Sequence, residues 1–377
     1  MRACIVSQSI EFLEAFSEVE DPRQFWKVLH PLKEILFLVL CAVISGFTDF
    51  SDIEVYGKER MDYLRRFLPF KAGIPSHDTL DRVFRRINPT SFQTCFIQWV
   101  ASLQTEIREI IAIDGKTLRG SFDQEHSAIH MVSAWASTQR LVLGQEKTEE
   151  KSNEIKAIPK LLELLSLKGA IVTIDAMGCQ KAIARQIVEQ GGDYVLALKG
   201  NHPELHNDIA EFFQAQEKEQ FHHSHADTHN TLEKGHGRVE KRFYVSTSDI
   251  EWLKERHPEW KDLQSIVMAV SQRSFPDGKN TQETRYYLSS LPQDAKQAGE
   301  AIREHWGIEN KVHWVLDVNF GDDSSRLRKD YAPQNLHVIK QAALNLIRKI
   351  PSKRSLRAQR IQAGLNSDYL TQILQAS

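Results

Sequence analysis

Ile110-Ile-Ala-Ile-Asp-Gly-Lys-Thr-Leu-Arg119 is the stretch on which the reading of this chain turns. Four apolar residues form a short strand that stops at a carboxylate, Asp114, with Gly-Lys-Thr behind it. Downstream, Ile129-His-Met-Val-Ser-Ala-Trp135 and Leu141-Val-Leu-Gly-Gln145 read as two more strands joined by Ser137-Thr-Gln-Arg140, so an antiparallel meander is expected. A helix follows, with Asn153 as its cap and Ile155, Ile158, Leu161, Leu162 and Leu165 on one face. Ala170-Ile-Val-Thr-Ile-Asp175 is a second buried strand that ends on an aspartate. Residues 180–190 read as a helix and Asp193-Tyr-Val-Leu-Ala-Leu198 as a strand.

The order βββαβαβ, with aspartates closing the first and fourth strands, predicts an α/β fold with a ribonuclease H-like core over 106–350. Upstream, 1–105 reads as a helical domain. Leu32, Ile35, Leu36, Val39, Leu40 and Val43 recur at helix spacing, and Gly46 is a stop. Ser76 caps a helix with Leu80, Val83 and Phe84 on its apolar face and Arg82, Arg85 and Arg86 on the other. Asn88-Pro89 ends it, and another helix begins at Ser91. An arginine face on short helices suits a DNA-binding module, and equally any small bundle. From about 203 to 292 the chain turns polar, then strand-like at 242–246, 265–270 and 284–289, which reads as a β-rich insertion. Helix resumes at Ala295 and runs through Trp314, a further helix covers 333–349, and 351–377 is a basic C-terminal tail.

The chain has 377 residues, 41% of them hydrophobic and 26% charged, a composition that excludes disordered, collagen-like and disulfide-stapled classes. Cys4, Cys41, Cys95 and Cys179 lie far apart without a CxxC pair, as expected of reduced thiols. The longest apolar run, Ile35 to Ile44, is too short to span a bilayer. With no export-signal pattern at the N-terminus, a cytoplasmic, nucleoid-associated protein is expected. Net charge is −2, but between Arg326 and Arg360 ten basic residues face one acid, Asp330. Such local density is the footprint of a polyanion, or else a solvated helical face. Lys353, Arg354, Arg357 and Arg360 in this tract are candidate DNA contacts.

Two carboxylates on neighbouring strand ends repel each other unless a cation compensates. Divalent metal is the natural compensator, and two Mg²⁺ ions held by oxygen ligands suit phosphodiester cleavage. Lys116 and Arg119 are candidates to grip a phosphate, and Lys199 and Asn201 follow a strand ending on the same sheet edge. Asp114-Gly-Lys-Thr is not a P-loop, because Gly-x-x-x-x-Gly-Lys is absent. The tract His222-His-Ser-His-Ala-Asp-Thr-His229 reads as a solvated loop rather than a metal site. Arg238, Glu240 and Arg242 alternate on one strand face, as a DNA-contacting strand or a surface ladder. Trp306 and Trp314 are expected to pack the last helix onto the sheet, or to stack on a base.

Six ordered segments carry a family resemblance. They are 111–120 (IAIDGKTLRG), 151–162 (KSNEIKAIPKLL), 173–180 (TIDAMGCQ), 192–201 (GDYVLALKGN), 236–240 (HGRVE) and 305–317 (HWGIENKVHWVLD). With matching pieces around Trp26, Cys41–Gly46, Asp52–Glu54 and Gly73–Thr79, the chain resembles the H-repeat-associated proteins and insertion-sequence transposases of the DDE class to about residue 350. The resemblance implies metal-dependent DNA cleavage and strand transfer at element ends, by a dimer or larger assembly on double-stranded DNA, with no membrane partner. It implies Asp114, Asp175 and Glu309 as the catalytic and metal-binding triad, with two Mg²⁺, or Mn²⁺, as cofactor. Broader relatives place Arg four positions before the glutamate and Lys seven after. This chain has His305 and Leu316 there, so Arg303, Lys311 or His313 is expected to handle phosphate instead.

On a regular helix Trp306, Glu309, His313 and Asp317 share a face and Glu304 lies about 140° from Glu309. Asp317 is roughly 12 Å beyond Glu309, too far for one metal pair unless the helix breaks between them, and is read as a supporting residue that orients His313. Two other functions fit: a nuclease of the same fold without strand transfer, and a domesticated copy that only binds DNA. The second has no need of three mutually repelling acids.

Overall fold

The computed structural model describes residues 10–104, 109–122, 128–148, 154–218, 225–235 and 237–376. Cys4, Lys151, the Asn153 cap, His222, His223 and His236 lie outside them.

The N-terminal helices are α1 (Glu11–Ala15), α2 (Leu32–Ile44), α3 (Phe50–Glu59), α4 (Met61–Leu64), α5 (His77–Phe84) and α6 (Pro89–Leu103). Twelve of the thirteen residues of α2 are buried, so the apolar run is the hub of this layer. Its one buried carboxylate, Glu34, accepts the Phe70 N–H at 2.7 Å. Ser76 caps α5 through the Thr79 N–H. The next helix starts earlier than expected, at Pro89. Asn88 accepts the Thr90 and Ser91 N–H groups, and proline at the first helical position loses no bond.

The core that follows is β1 (Ile110–Leu118), β2 (Ile129–Ala136), β3 (Leu141–Thr148), α7 (Glu154–Glu163), β4 (Ile171–Ile174), α8 (Lys181–Glu189) and β5 (Asp193–Leu198). Next come α9 (Pro203–Lys218), β6 (Ala226–Gly235), β7 (Arg238–Thr247), α10 (Glu251–Arg256), β8 (Ser265–Ser274) and β9 (Asn280–Ser289). The chain ends with α11 (Ala295–His305), a π-helical turn (Ile308–His313), α12 (Trp314–Phe320), α13 (Ala332–Lys349), α14 (Leu356–Leu365) and α15 (Ser367–Leu374).

The nine strands among the described residues form one mixed, mostly antiparallel sheet in the order β3-β2-β1-β4-β5-β9-β8-β7-β6. The meander β1–β2–β3 is present, β4 and β5 add parallel to β1, and β9 joins antiparallel to β5. The β-rich insertion therefore continues the same sheet. Part of the histidine tract, from Ala226 onward, is edge strand β6 rather than loop.

Helix α11 lies across both halves of the sheet, against β1, β4 and β5 and against β6, β7 and β8. Ala295, Ala298 and Ala301 form the stripe that allows this approach, and a Cβ on Gly299 would stand 2.9 Å from the Tyr244 ring. On the other side α13 packs on α2, α6 and β3, and Asn345 takes both polar groups of Val142.

The C-terminal residues do not form a tail. α14 packs on α2 and α15 on α13, and Arg60 and Tyr63 bond Ser367 and Thr371.

Candidate active site

Asp114 does not end its strand. β1 runs on to Leu118 against β2, but its parallel pairing with β4 stops at Ile113 and Ile174. Asp114 and Asp175 are the next residue on each strand, so they are neighbours where the two chains part. β4 turns away there because the Asp175 carboxylate accepts the Met177 and Gly178 N–H groups. Gly178 has no side chain where a Cβ would meet Ile174 at 2.2 Å. Asn201 donates to the Ala176 carbonyl at 2.7 Å, so it holds this loop.

Glu309 arrives from the facing helix on the π turn. Asp114, Asp175 and Glu309 line one cavity of about 160 Å³, together with Lys199, Arg285 and His305. Burial above all, and then the neighbouring Asp175, Glu154 and Glu309 charges, push the Asp114 carboxyl up to about 7, although the Gly115 N–H opposes this. His305 donates to or accepts from the Thr173 hydroxyl at 3.1 Å, and burial lowers its imidazole to about 4. His313 lies 3.5 Å from Asp114 and is pushed down to about 3, mainly by burial, so it sits there neutral.

Among the described residues, no three His, Cys, Asp or Glu groups close tightly enough to hold an ion as they stand. The donor set, three carboxylates on one cavity with Asp114 destabilised as an anion, nevertheless has the chemistry of a hard-cation site.

Lys116 faces inward, which corrects its reading as a phosphate grip. Its ammonium donates to the His313 carbonyl at 3.1 Å and to Asp317, and lies 3.7 Å from Asp322. Burial would raise the Asp322 carboxyl, but Lys340, His337 and Lys116 hold it well below the usual range. Asp317 thus secures Lys116 and does not orient His313. The sequence offered one signal for this cluster, a lysine two residues after Asp114 on the same strand face.

The other candidates are dispersed. Lys199 lines the cavity. Arg303 pairs with Glu233, Lys311 with Glu304, and Arg238 with Glu240, while exposed Arg119 is 3.9 Å from Asp323. Arg285, which sequence reasoning missed, reaches the cavity from β9 and stacks 4.7 Å from Trp306. Trp314 is exposed rather than packed onto the sheet, whereas the partly exposed Trp306 ring packs against Arg285 of β9.

The basic tract does not form one face. Lys353, Arg354 and Arg357 are exposed, but Lys340 is buried against Asp322 and Arg348 stacks on Trp135. Arg360 is 5% exposed. It donates to the Val43 carbonyl at 2.7 Å and covers the Phe320 ring, so it is a packing residue and not a DNA contact.

A profile of the transposase DDE domain matches residues 105–346, and a profile described as DDE_Tnp_1-associated matches 13–100. The chain belongs to the DDE transposase family. The relative named "Putative transposase YncI" of Escherichia coli O157:H7 is 43% identical over 369 residues, 96% of this chain and 94% of that one. The "H repeat-associated putative transposase YhhI" of Escherichia coli strain K12 is 41% identical over 374 residues, 97% and 98% of the two chains. Asp114, Asp175 and Glu309 fall within the range that the DDE transposase domain profile matches, and the match to the associated profile ends at residue 100, before β1. No helix among the described residues is long and apolar enough to cross a membrane.

Proposed function

We propose that this transposase cleaves double-stranded DNA at insertion-sequence ends and joins the released end to target DNA, with Asp114, Asp175 and Glu309 as its catalytic triad. One observation carries the reading: three acids from two strands and a facing helix share a cavity in which Asp114 is unfavourable as an isolated anion. The strand order and the aspartate pair at the parting of β1 and β4 support a ribonuclease H-like core.

The three carboxylates would hold two Mg²⁺, or Mn²⁺. Bound there, the ions supply Lewis-acid activation of a water or 3′-hydroxyl and stabilise the leaving oxygen. Lys199 and Arg285 are the cations lining the cavity and bind the scissile phosphate. Lys116 ties the strand of Asp114 to the helix of Glu309. Exposed Arg119, Arg238, Arg303, Lys353, Arg354 and Arg357 and half-buried Lys311 are further contacts for DNA, which a dimer or larger assembly would share.

The test incubates purified protein with Mg²⁺ and DNA bearing the repeats that flank its own gene, scoring cut and joined products. Both are expected, and both are lost with Asp175→Asn. Cutting without joining would replace transposition by the nuclease reading. Binding without cutting would leave only a DNA-binding protein.

A further inference from the structure

Past Ile113 the strand that carries Asp114 is held on one edge. β4 has left it, and from Asp114 to Leu118 its ladder is with β2. A strand with an open edge shifts out of the sheet plane easily unless side chains hold it. Side chains alternate along β1, so Asp114 and Lys116 share one face while Gly115 and Thr117 share the other. Lys116 holds the first face through the His313 carbonyl and Asp317.

The second face is held by a pair that the chemistry proposed above does not use. His130 on β2 lies opposite Thr117, and Glu154 stands in the first turn of α7, which packs on β2 and β3. Both residues are buried. The Glu154 carboxylate accepts the His130 Nε2–H at 2.5 Å, and His130 Nδ1 meets the Thr117 hydroxyl at 2.9 Å. A carboxylate at that distance keeps the proton on Nε2 and fixes the ring.

Gly115 is what lets this pair close on β1. A Cβ there would stand 2.3 Å from Glu154 Oε1 and 2.6 Å from His130 Nε2. The N–H of the same glycine is accepted by the Asp114 carboxylate. The pair therefore rests against the backbone unit that aims the acid. An apolar pair of similar volume would fasten α7 to the sheet as well or better. What hydrogen bonds add is direction, since a satisfied polar network admits one arrangement of the elements that it joins.

We propose that Glu154 and His130 are positioning residues for Asp114, holding β1 from behind so that its carboxylate stays aimed into the cavity it shares with Asp175 and Glu309. This rests on the reading above that the triad holds divalent metal.

The experiment titrates the full chain with Mn²⁺ and follows the free-ion signal by electron paramagnetic resonance, at a temperature where every variant is folded. The variants are Glu154→Ala, Glu154→Gln, Gly115→Ala, Asp175→Asn and Leu161→Val. The last loosens the same helix where it meets Gly144 of β3, away from the pair. Asp175→Asn should abolish uptake at the site. Glu154→Ala and Gly115→Ala should bind about tenfold more weakly or worse. Glu154→Gln keeps an oxygen that accepts the Nε2–H and should stay within about threefold of wild type. Leu161→Val should melt lower with its affinity unchanged. The Mn²⁺ concentration that gives half-maximal cleavage of a duplex bearing the flanking repeats should follow the same order. If Glu154→Ala and Gly115→Ala bind Mn²⁺ like wild type, the pair only fastens α7 and the inference fails while the triad stands. If Glu154→Gln falls as far as Glu154→Ala, charge rather than placement is what the ion needs, and positioning is refuted. If wild type takes up no Mn²⁺, the metal reading of the triad falls and this inference falls with it.

Discussion

Asp114 at pH 8 must keep its charge against burial and against three neighbouring acids. Its carboxyl titrates near 7 in the folded protein and at its ordinary 3.8 in the unfolded chain. Below 3.8 both forms are protonated and the group contributes no penalty. As pH rises from 3.8 to about 7 the unfolded chain ionises while the native carboxyl keeps its proton, so stability falls across that window and the penalty is constant above it. Asp114→Asn should therefore melt like wild type below pH 4 in metal-free buffer. Above pH 7 it should be more stable by about 2 kcal/mol, after discounting for partial exposure. Added Mg²⁺ should narrow the gap by stabilising wild type alone. Identical melting curves at pH 8 would remove the charge conflict from the site.

A second residue-scale comparison separates Glu309 from Asp317. Glu309→Gln should abolish Mg²⁺-dependent cleavage with the fold intact, because Glu309 faces the cavity. Asp317→Asn weakens the Lys116 contact and should reduce cleavage only in part. Loss confined to the Asp317 variant would reassign the third carboxylate.

Among elements, the contact between β1 and the segment 308–320 is the one that sets the triad. Lys116→Met should cost about 2–3 kcal/mol, since Asp322 keeps Lys340 and His337 but loses a third cation. Amide exchange should quicken in α12 before it does in α2. Unchanged exchange there would mean that apolar packing alone holds the segment.

This contact also marks where sequence reasoning reached and stopped. β1, β4 and β5 were legible because buried parallel strands are nearly continuous apolar runs. Asp114 and Asp175 stood out as charges closing those runs. Lys116 was misread because a lysine next to a candidate site looks like a ligand contact, and its carboxylate partners lie about two hundred residues away. β6 escaped notice because Ala226–Gly235 has the polar composition of a loop, and only pairing with β7 makes it a strand. The π turn left no mark in the spacing at all.

For the whole molecule, the C-terminal helices close the structure on itself. Arg360 reaches the carbonyl of Val43 on α2 and the ring of Phe320 on α12, so one side chain links the N-terminal layer to the catalytic helix. Charge density hid this, since Arg357 and Arg360 read alike in sequence but only the second lies under the fold. Arg360→Met should lower stability by about 2 kcal/mol through the lost carbonyl bond and ring contact, leaving the salt slope of DNA binding as in wild type. Arg357→Gln should do the reverse. A changed salt slope in the Arg360 variant, at matched folding, would return that residue to the DNA surface.

The π turn at Ile308–His313 has a genetic meaning as well as a geometric one. A π turn is an α-helix with one residue too many, the trace that a single inserted codon leaves in a helix. Removing one codon there would close the wide turn to a regular one, leave the flanking helix in phase and re-aim only the residues inside the turn, Glu309 among them. Asp317 would keep its place beside Lys116 while the approach of Glu309 to the aspartates changed, and the composition of the segment would stay almost the same. A reading frame one triplet shorter at this point would still encode every acid of the triad and would no longer bring them together.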